Sequence, residues 1–323
     1  MHCSLFIPDF FSPEGAGRAN RLAAAETLIA KGRRKQAAPI APEAWLFERF
    51  GARKEQLGWP VAPYTLLADG GSPAGHFWMR ADPVHLTVGR DSLAFGEAAL
   101  DVSRSEAEAL VAALNRHFGE ALVFDALHPE RWYVKFPAEP EVLTTPPWAA
   151  RGTAVGDKLP SGPDAKRFRA LMNEAQMLLH EHPVNTEREA RGVPVVNSVW
   201  FWGGGALAGP AAQPFSIVIS EDPLARGLAL AAGIPERRLS GSVETMLAAL
   251  PADGTALIVL DPPRSAMIER DWFQPLLAAL AAGRIGMLSL SLAGADSLLE
   301  VETVRSDLRY FWRMRKPLQS YLE

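Results

Sequence analysis

The sequence of 323 residues contains a single cysteine, Cys3, so an intramolecular disulfide is impossible. One cysteine is also too few for a cysteine-based zinc site. No run reaches the roughly 18 apolar residues that a membrane-spanning helix requires. The first residues lack the basic region that precedes the apolar stretch of a secretory signal. These absences predict a cytoplasmic protein that does not span a membrane.

An excess of positive charge is also lacking, because 33 basic residues face 37 acidic ones and the net charge is −4. A protein that binds a nucleic-acid backbone or an anionic membrane usually has a basic surface. We therefore expect neither nucleic acid nor membrane as a partner. The hydrophobic fraction of 48% is ordinary for a globular protein, and the length suits one large domain or two smaller ones.

Short apolar runs alternate with helical patterns in the second half of the chain. The strands are predicted at 195–202, 215–219, 256–260 and 285–292, and the run at 3–7 is expected to join them. Strands that are apolar throughout, separated by helices, indicate a parallel sheet covered on both faces. The predicted fold class is therefore α/β, with a doubly wound, mostly parallel sheet.

Residues 76–136 have a different pattern, with two strands, a helix and two further strands. Ser103 and Glu106 fit a capping box at the start of the helix. This stretch predicts a smaller α+β domain inserted into the α/β core, and the core then comprises 1–75 and 137–323. Residues 137–165 are rich in proline and glycine and are predicted to connect the domains.

Acidic residues follow several of the predicted strands. Asp9, Asp222 and Asp261 each stand at the carboxyl end of a strand, where open parallel sheets bind their ligands. Together they are weak candidates for a metal site. Each one alone is as well explained as a turn or helix-capping residue.

Polar residues are densest between positions 182 and 203. Arg188 and Arg191 could bind a carboxylate or phosphate, although a solvated helix face would give the same pattern. His182 ends a helix and could simply interact with the helix dipole. Asn197 precedes an apolar strand and could clamp a loop.

The order of these residues resembles the archaeal type of cofactor-independent phosphoglycerate mutase, in the alkaline phosphatase superfamily. The pattern is supplied by His182, Pro183, Asn185, Arg188, Gly192, Pro194, Asn197 and Gly203. Residues 80–136 also look like the inserted domain of that family. The resemblance implies an alkaline phosphatase-like core and a ligand-binding role for Arg80, Asp82, Arg131, His182, Asn185, Arg188 and Asn197. Four of these, Arg80, Arg131, Arg188 and Asn197, are expected to line a cleft between the domains.

The run from Ala81 to Leu86 is similar to a bacterial group of phosphoglycerate-mutase-like, pathogenicity-factor regulatory proteins. The superfamily binds two divalent metals through aspartates, histidines and a serine or threonine nucleophile, with an Asp-His pair after a late strand. Here only His180 and His182 occur beyond residue 136, and the expected position reads Ala293-Gly294. These departures from the family pattern predict no cofactor and no recognisable catalytic residue.

Three hypotheses remain open. The first is a mutase-like protein without metal chemistry that binds or senses a small phosphorylated or carboxylated metabolite, or a protein partner. The alternative is an active mutase or phosphatase with an altered metal site around Asp9, Asp222 and Asp261. The third is an interaction module that uses the arginines and aromatic residues at 309–315, a composition common at protein interfaces.

Overall fold

The structure is a computed structural model that describes residues 1–12, 15, 21–52, 54, 58–88, 93–96, 98–151, 155–209, 212–248, 250, 253–260 and 265–322. Contacts divide the chain into two compact units. One comprises Met1–Ala52 and Pro210–Glu323, and the other comprises Arg53–Gly209. We call them the sheet unit and the inserted unit.

The secondary structure is numbered in chain order. The strands are β1 His2–Ile7, β2 Arg33–Ala37, β3 Phe77–Val84, β4 Leu86–Val88, β5 Leu93–Phe95, β6 Val123–His128, β7 Arg131–Phe136, β8 Ser198–Ala206, β9 Ile217–Ser220, β10 Glu236–Arg237, β11 Thr255–Val259, β12 Met287–Ala293 and β13 Leu298–Val304. The helices are α1 Ala23–Lys31, α2 Pro42–Arg49, α3 Val61–Ala68, α4 Arg104–Phe118, α5 Pro147–Ala150, α6 Ala165–His180, α7 Pro183–Ala190, α8 Pro223–Ala231, α9 Val243–Ala248, α10 Ser265–Ile268 and α11 Gln274–Ala281.

A seven-stranded sheet forms the centre of the sheet unit, in the order β10-β9-β11-β1-β12-β13-β2. β1 lies between β11 and β12 and is parallel to both, as the sequence predicts. The last two strands run antiparallel to their neighbours. On one face, Leu5 packs in a core with Leu28 of α1 and Leu276 of α11. On the other, the Phe6 ring stacks on Trp45 of α2, with the ring centroids 4.0 Å apart. Helices therefore cover both faces, and the predicted α/β fold class is confirmed.

The inserted unit contains a four-stranded antiparallel sheet in the order β6-β7-β3-β8. Its longest strands belong to one apolar core with α4 and α6. The predicted capping box at the start of α4 is present, because Ser103 accepts the Glu106 N–H and Glu106 accepts the Ser103 N–H.

The bounds of the inserted unit differ from the predicted 76–136. The strand predicted at 195–202 is β8, which pairs antiparallel with β3 and does not join the parallel sheet. The stretch 137–165 also lies inside this unit, where Leu143 and Ser161 form a β-bridge. Sequence periodicity identified the strand but not its partner, because strand pairing depends on residues far apart in the chain.

The C-terminal segment 306–318, whose basic and aromatic composition favours a helix, is mostly not helical. Short 3₁₀ turns cover Arg305–Arg309 and Leu318–Tyr321. Between them, the Arg313 guanidinium donates to the Lys31 carbonyl at the end of α1. Phe311 and Trp312 remain largely exposed. Within the described residues, no helix combines the length and apolarity needed to cross a membrane.

Candidate functional site

The carboxyl ends of the parallel strands carry the acidic residues that were considered as metal ligands. Asp9 follows β1, is exposed and has a φ of 52°, a left-handed conformation that aspartate adopts in turns. Asp222 follows β9, and its Oδ1 accepts the Ala225 N–H at 2.7 Å. Asp222 is therefore the N-cap of α8, which was the simpler explanation of this residue. Asp261 lies outside the described residues.

Glu43, in the first turn of α2, is an acidic residue that the sequence reasoning missed. Burial raises the pKa of its carboxyl to about 7, and the negative charge of Asp222 adds to the shift. A carboxyl group with a pKa near neutrality at a sheet edge is typical of functional sites. No local signal distinguishes Glu43 from an ordinary first-turn glutamate, because the shift comes mainly from burial in the folded protein, with a smaller contribution from Asp222.

The resemblance implies two divalent metals at this edge, and the described residues do not fit them. Among those residues, no three His, Cys, Asp or Glu side chains come together in a group that could hold a metal ion. Glu221, next to Asp222, accepts the Leu239 N–H and pairs with Arg238. The single histidine in the sequence of the sheet unit is His2, at the amino end of β1. The imidazole is therefore at the opposite end of the strand from the carboxyl edge, where the metal site is expected.

The raised pKa of Glu43 gives stability a pH dependence of known sign. The folded state binds a proton that the unfolded state has already lost between about pH 4.5 and pH 7, so stability falls as the pH rises through this range. We expect Glu43→Gln to increase the free energy of unfolding by on the order of 1–3 kcal/mol above about pH 8, with little effect below about pH 4.5. Urea denaturation across this range measures the difference.

Glu48→Gln is the matched control for this prediction. Glu48 is an exposed glutamate of the same helix, and its replacement changes the net charge equally. The expected profile for Glu48→Gln runs parallel to that of the parent protein. If the stability of Glu43→Gln followed the same pH profile as the parent protein, as that of Glu48→Gln should, the titration could not be assigned to Glu43.

Arg80 and Asp82, both predicted to bind a ligand, are paired with each other in β3. The guanidinium donates from Nε at 2.9 Å and from Nη2 at 2.6 Å to Asp82 Oδ1, and the Trp202 indole donates to Oδ2 at 2.6 Å. The cation also lies over the rings of Tyr133 and Trp202, at 5.4 and 5.2 Å from their centroids. Burial raises the pKa of Asp82, although the Arg80 charge opposes the shift.

Arg131 is held in the same neighbourhood by Asp69. Its Nε and Nη2 donate to the two carboxylate oxygens at 2.9 and 2.7 Å, and the Tyr133 hydroxyl donates to Asp69 Oδ2 at 2.7 Å. Burial acts to raise the pKa of Asp69, but these donors outweigh it and the pKa is lowered. Tyr133 thus connects Arg80 with the Arg131 pair. The structure brings Arg80, Asp82 and Arg131 together as one neutralised network.

Arg188 is almost fully buried, with 1% of its surface exposed. Its Nε donates to the Pro194 carbonyl at 2.8 Å, its Nη1 to Glu106 Oε2 at 2.9 Å, and its Nη2 to the Leu100 carbonyl. The guanidinium therefore ties α7 to the loop before α4. The positive charge is matched by a carboxylate inside the protein.

The remaining predicted ligand-binding residues also have backbone partners. Asn185 is buried and bridges two carbonyls with its amide nitrogen, while its Oδ1 accepts the Val196 N–H at 2.9 Å. Asn197 exchanges two hydrogen bonds with the backbone of Leu86, at 2.8 and 2.7 Å. His182 caps α7 by accepting the Val184 N–H on Nδ1, and burial lowers the pKa of its imidazole. These residues form a second group that fixes the loops around α7.

A cavity of about 560 Å³ opens beside this group in the inserted unit. Its lining includes Asp82, Glu130, Arg151 and His85, and most other lining residues are apolar. The His85 Nδ1 is bonded to the Val195 carbonyl at 2.9 Å. An anion entering this cavity would meet two carboxylates and one guanidinium.

The inserted unit is also where the chain is similar to known proteins. Residues 74–185 match the family model of the 2,3-bisphosphoglycerate-independent phosphoglycerate mutases. This match lies entirely within Arg53–Gly209.

Two curated mutases are also similar in sequence to part of this chain. The 2,3-bisphosphoglycerate-independent phosphoglycerate mutase of Methanothrix thermoacetophila is 36% identical over 100 residues, which are 29% of this chain and 25% of that protein. The probable mutase of Geobacter sulfurreducens is 32% identical over 106 residues, which are 31% of this chain and 27% of that protein. The matched part spans about a quarter of these relatives.

The fold extends further than the sequence similarity. The solved structure of the PH0037 protein from Pyrococcus horikoshii superimposes with a TM-score of 0.60, covering 94% of this chain and 87% of that one, at 13% identity. Identity this low shows a shared fold and nothing about the chemistry. The chain therefore shares its fold with the PH0037 protein, and its residues 74–185 are similar in sequence to the mutases.

Proposed function

We propose that this protein is a non-catalytic relative of the phosphoglycerate mutases that binds a small anionic metabolite. In this proposal the two-metal site of the superfamily has been lost and the scaffold serves binding or regulation, as in the bacterial regulatory group that the run Ala81 to Leu86 resembles. The ligand class is a small phosphorylated or carboxylated molecule.

The observation that carries the proposal is the chemistry at the carboxyl edge of the parallel sheet. Two-metal phosphoryl transfer needs several ligands that hold both ions and clamp the charge of the transition state. Asp222 is engaged as a helix cap, and Glu221 beside it pairs with Arg238 and accepts the Leu239 N–H. After the late strand, where the superfamily has an Asp-His pair, this sequence has Ala293 and Gly294. Binding then remains as the function that this scaffold supports best.

Metal content and turnover test the proposal directly. We expect the purified protein to contain substoichiometric manganese, zinc and magnesium by mass spectrometry. With added manganese, it should neither interconvert 3-phosphoglycerate and 2-phosphoglycerate nor hydrolyse p-nitrophenyl phosphate. An authentic mutase assayed in parallel verifies the conditions.

Stoichiometric metal together with turnover that Asp9→Ala abolishes would overturn the proposal in favour of an active enzyme. Asp253→Ala is the matched control, since Asp253 is an exposed aspartate that precedes β11 at the opposite edge of the sheet. Turnover lost in both variants would indicate a folding defect, and amide exchange of the sheet strands identifies that case.

A further inference from the structure

The sheet unit has a polar surface where parallel sheets are normally apolar. Strands covered by helices are apolar on both faces, and Leu288 and Leu290 of β12 follow this rule on the side of α1 and α11. On the opposite side, β12 presents Ser289 and Ser291, and β1 presents Ser4 next to them. A polar sheet face needs a polar partner.

A cavity of about 600 Å³ lies on this face, within the range of sites that bind small molecules. We call it the sheet-face cavity. Its lining includes His2, Ser4, Ser289, Ser291, Arg33, Lys35, Arg49, Glu300 and Glu302. It lies entirely within the sheet unit and contains none of the residues that the resemblance singled out.

Two serine hydroxyls in the sheet-face cavity have no hydrogen-bond partner within the described residues. Ser4 is 9% exposed and Ser291 is 3% exposed, and both line the cavity. Ser289, by contrast, is bonded to the His2 Nε2 at 2.8 Å. The two serines therefore provide donors and acceptors for a molecule in the cavity.

The basic side chains of β2 make the cavity suitable for an anion. Among the basic residues of the lining, Arg49 forms an ion pair with Glu300. No described carboxylate lies within ion-pair distance of Arg33 or Lys35, so these two cations are available to a ligand. Both face Glu302 and Glu300 across the β2–β13 register. Glu302, on the same face, can accept hydrogen bonds from hydroxyl groups. An anionic group with hydroxyls attached matches this set of side chains.

We propose that the sheet-face cavity binds a small hydroxylated anion, with Arg33 and Lys35 holding its phosphate or carboxylate and Ser4 and Ser291 bonding its hydroxyls. This inference rests on the proposed function and assigns its binding site to the sheet unit. It places the ligand away from the carboxyl edge where the superfamily does its chemistry.

Calorimetric titration of the full chain tests the site with glycerol 3-phosphate, glycerate and glycerol. We expect one of the two anions to bind and glycerol not to bind. Arg33→Gln combined with Lys35→Gln should weaken binding by about tenfold or more, because each removes a charged hydrogen bond. Ser4→Ala combined with Ser291→Ala should weaken it by about threefold to tenfold. Preference for glycerol 3-phosphate or for glycerate identifies the anionic group.

Arg315→Gln is the matched control, because Arg315 is exposed and lies outside the cavity. It should bind the anion as the parent does. If the Arg33 and Lys35 substitutions leave anion binding unchanged, the anion does not bind in the sheet-face cavity. The proposed function would then still stand. No binding of either anion at millimolar concentration, or equal binding of glycerol, also overturns the site. The turnover assay, which decides the proposed function, is independent of these results.

Discussion

Replacing Arg188 with alanine is expected to reduce the free energy of unfolding by about 3–5 kcal/mol. The substitution removes the buried cation from the Glu106 carboxylate, which is 13% exposed and keeps the Ser103 N–H and the largely exposed Arg191 as partners. It also leaves the Pro194 and Leu100 carbonyls without the Arg188 donor in the interior. Buried groups that lose a partner cost more than the net value of the interaction, because their desolvation is no longer fully compensated. Urea denaturation of the full chain gives the size of the loss, and amide exchange in α4 and α7 locates it.

Arg191→Ala provides a stringent control. Arg191 pairs with the other oxygen of the same Glu106, but 57% of its side chain is exposed to water. Exposed ion pairs contribute about 0–1 kcal/mol, so this variant should remain close to the parent. A loss for Arg188→Ala that is no larger than for Arg191→Ala would show that Arg188 is not structural and would restore its predicted role in ligand binding.

Local sequence signals predicted the parts of the fold that depend on neighbouring residues. The capping box of α4 requires only Ser103 and Glu106, three positions apart, and the apolar run of β1 requires only its own residues. The partner of β8 could not be predicted, because an apolar strand fits a parallel or an antiparallel neighbour equally well. Its register with β3 is set by residues more than a hundred positions away.

The candidate site was harder to predict, for a related reason. Arg188 and Asn197 have the side chains that bind anions and clamp loops, and the sequence does not show which partner each one meets. The structure supplies those partners from within the chain, namely Glu106 and the backbone of Leu86. Glu43 had no distinguishing signal, since its raised pKa comes mainly from burial by residues distant in the sequence, with a smaller contribution from Asp222.

Two arginines of the stretch that matches the mutases help to hold the inserted unit together. The matched residues 74–185 contain Arg80, Arg131 and their neighbours, each arginine with a buried carboxylate partner. These ion pairs are internal contacts of the inserted unit, and function has to be argued from the site itself. In the sheet unit, Arg33 and Lys35 have no such partner among the described residues.

Arg80→Met should also destabilise the protein, by about 3–5 kcal/mol at neutral pH. Methionine fills much of the volume between the Tyr133 and Trp202 rings but leaves Asp82, which is 8% exposed, without its cation. The pKa of Asp82 is already raised by burial, and loss of the Arg80 charge raises it further. The variant should therefore be least stable above the raised pKa and should regain stability as the pH falls through it, because the folded state then takes up a proton.

Adding Asp82→Asn to Arg80→Met removes the uncompensated charge and separates this explanation from a simple packing defect. The double variant should recover on the order of 1–3 kcal/mol at neutral pH relative to Arg80→Met. The pH dependence of its stability should return towards that of the parent protein, because asparagine does not titrate and still accepts the Trp202 N–H. Urea denaturation at about pH 5 and about pH 8 measures both effects. If Arg80→Met and the double variant lose the same amount of stability at both pH values, Arg80 stabilises the protein by filling the space between the rings. Its charge would then not be needed to compensate Asp82.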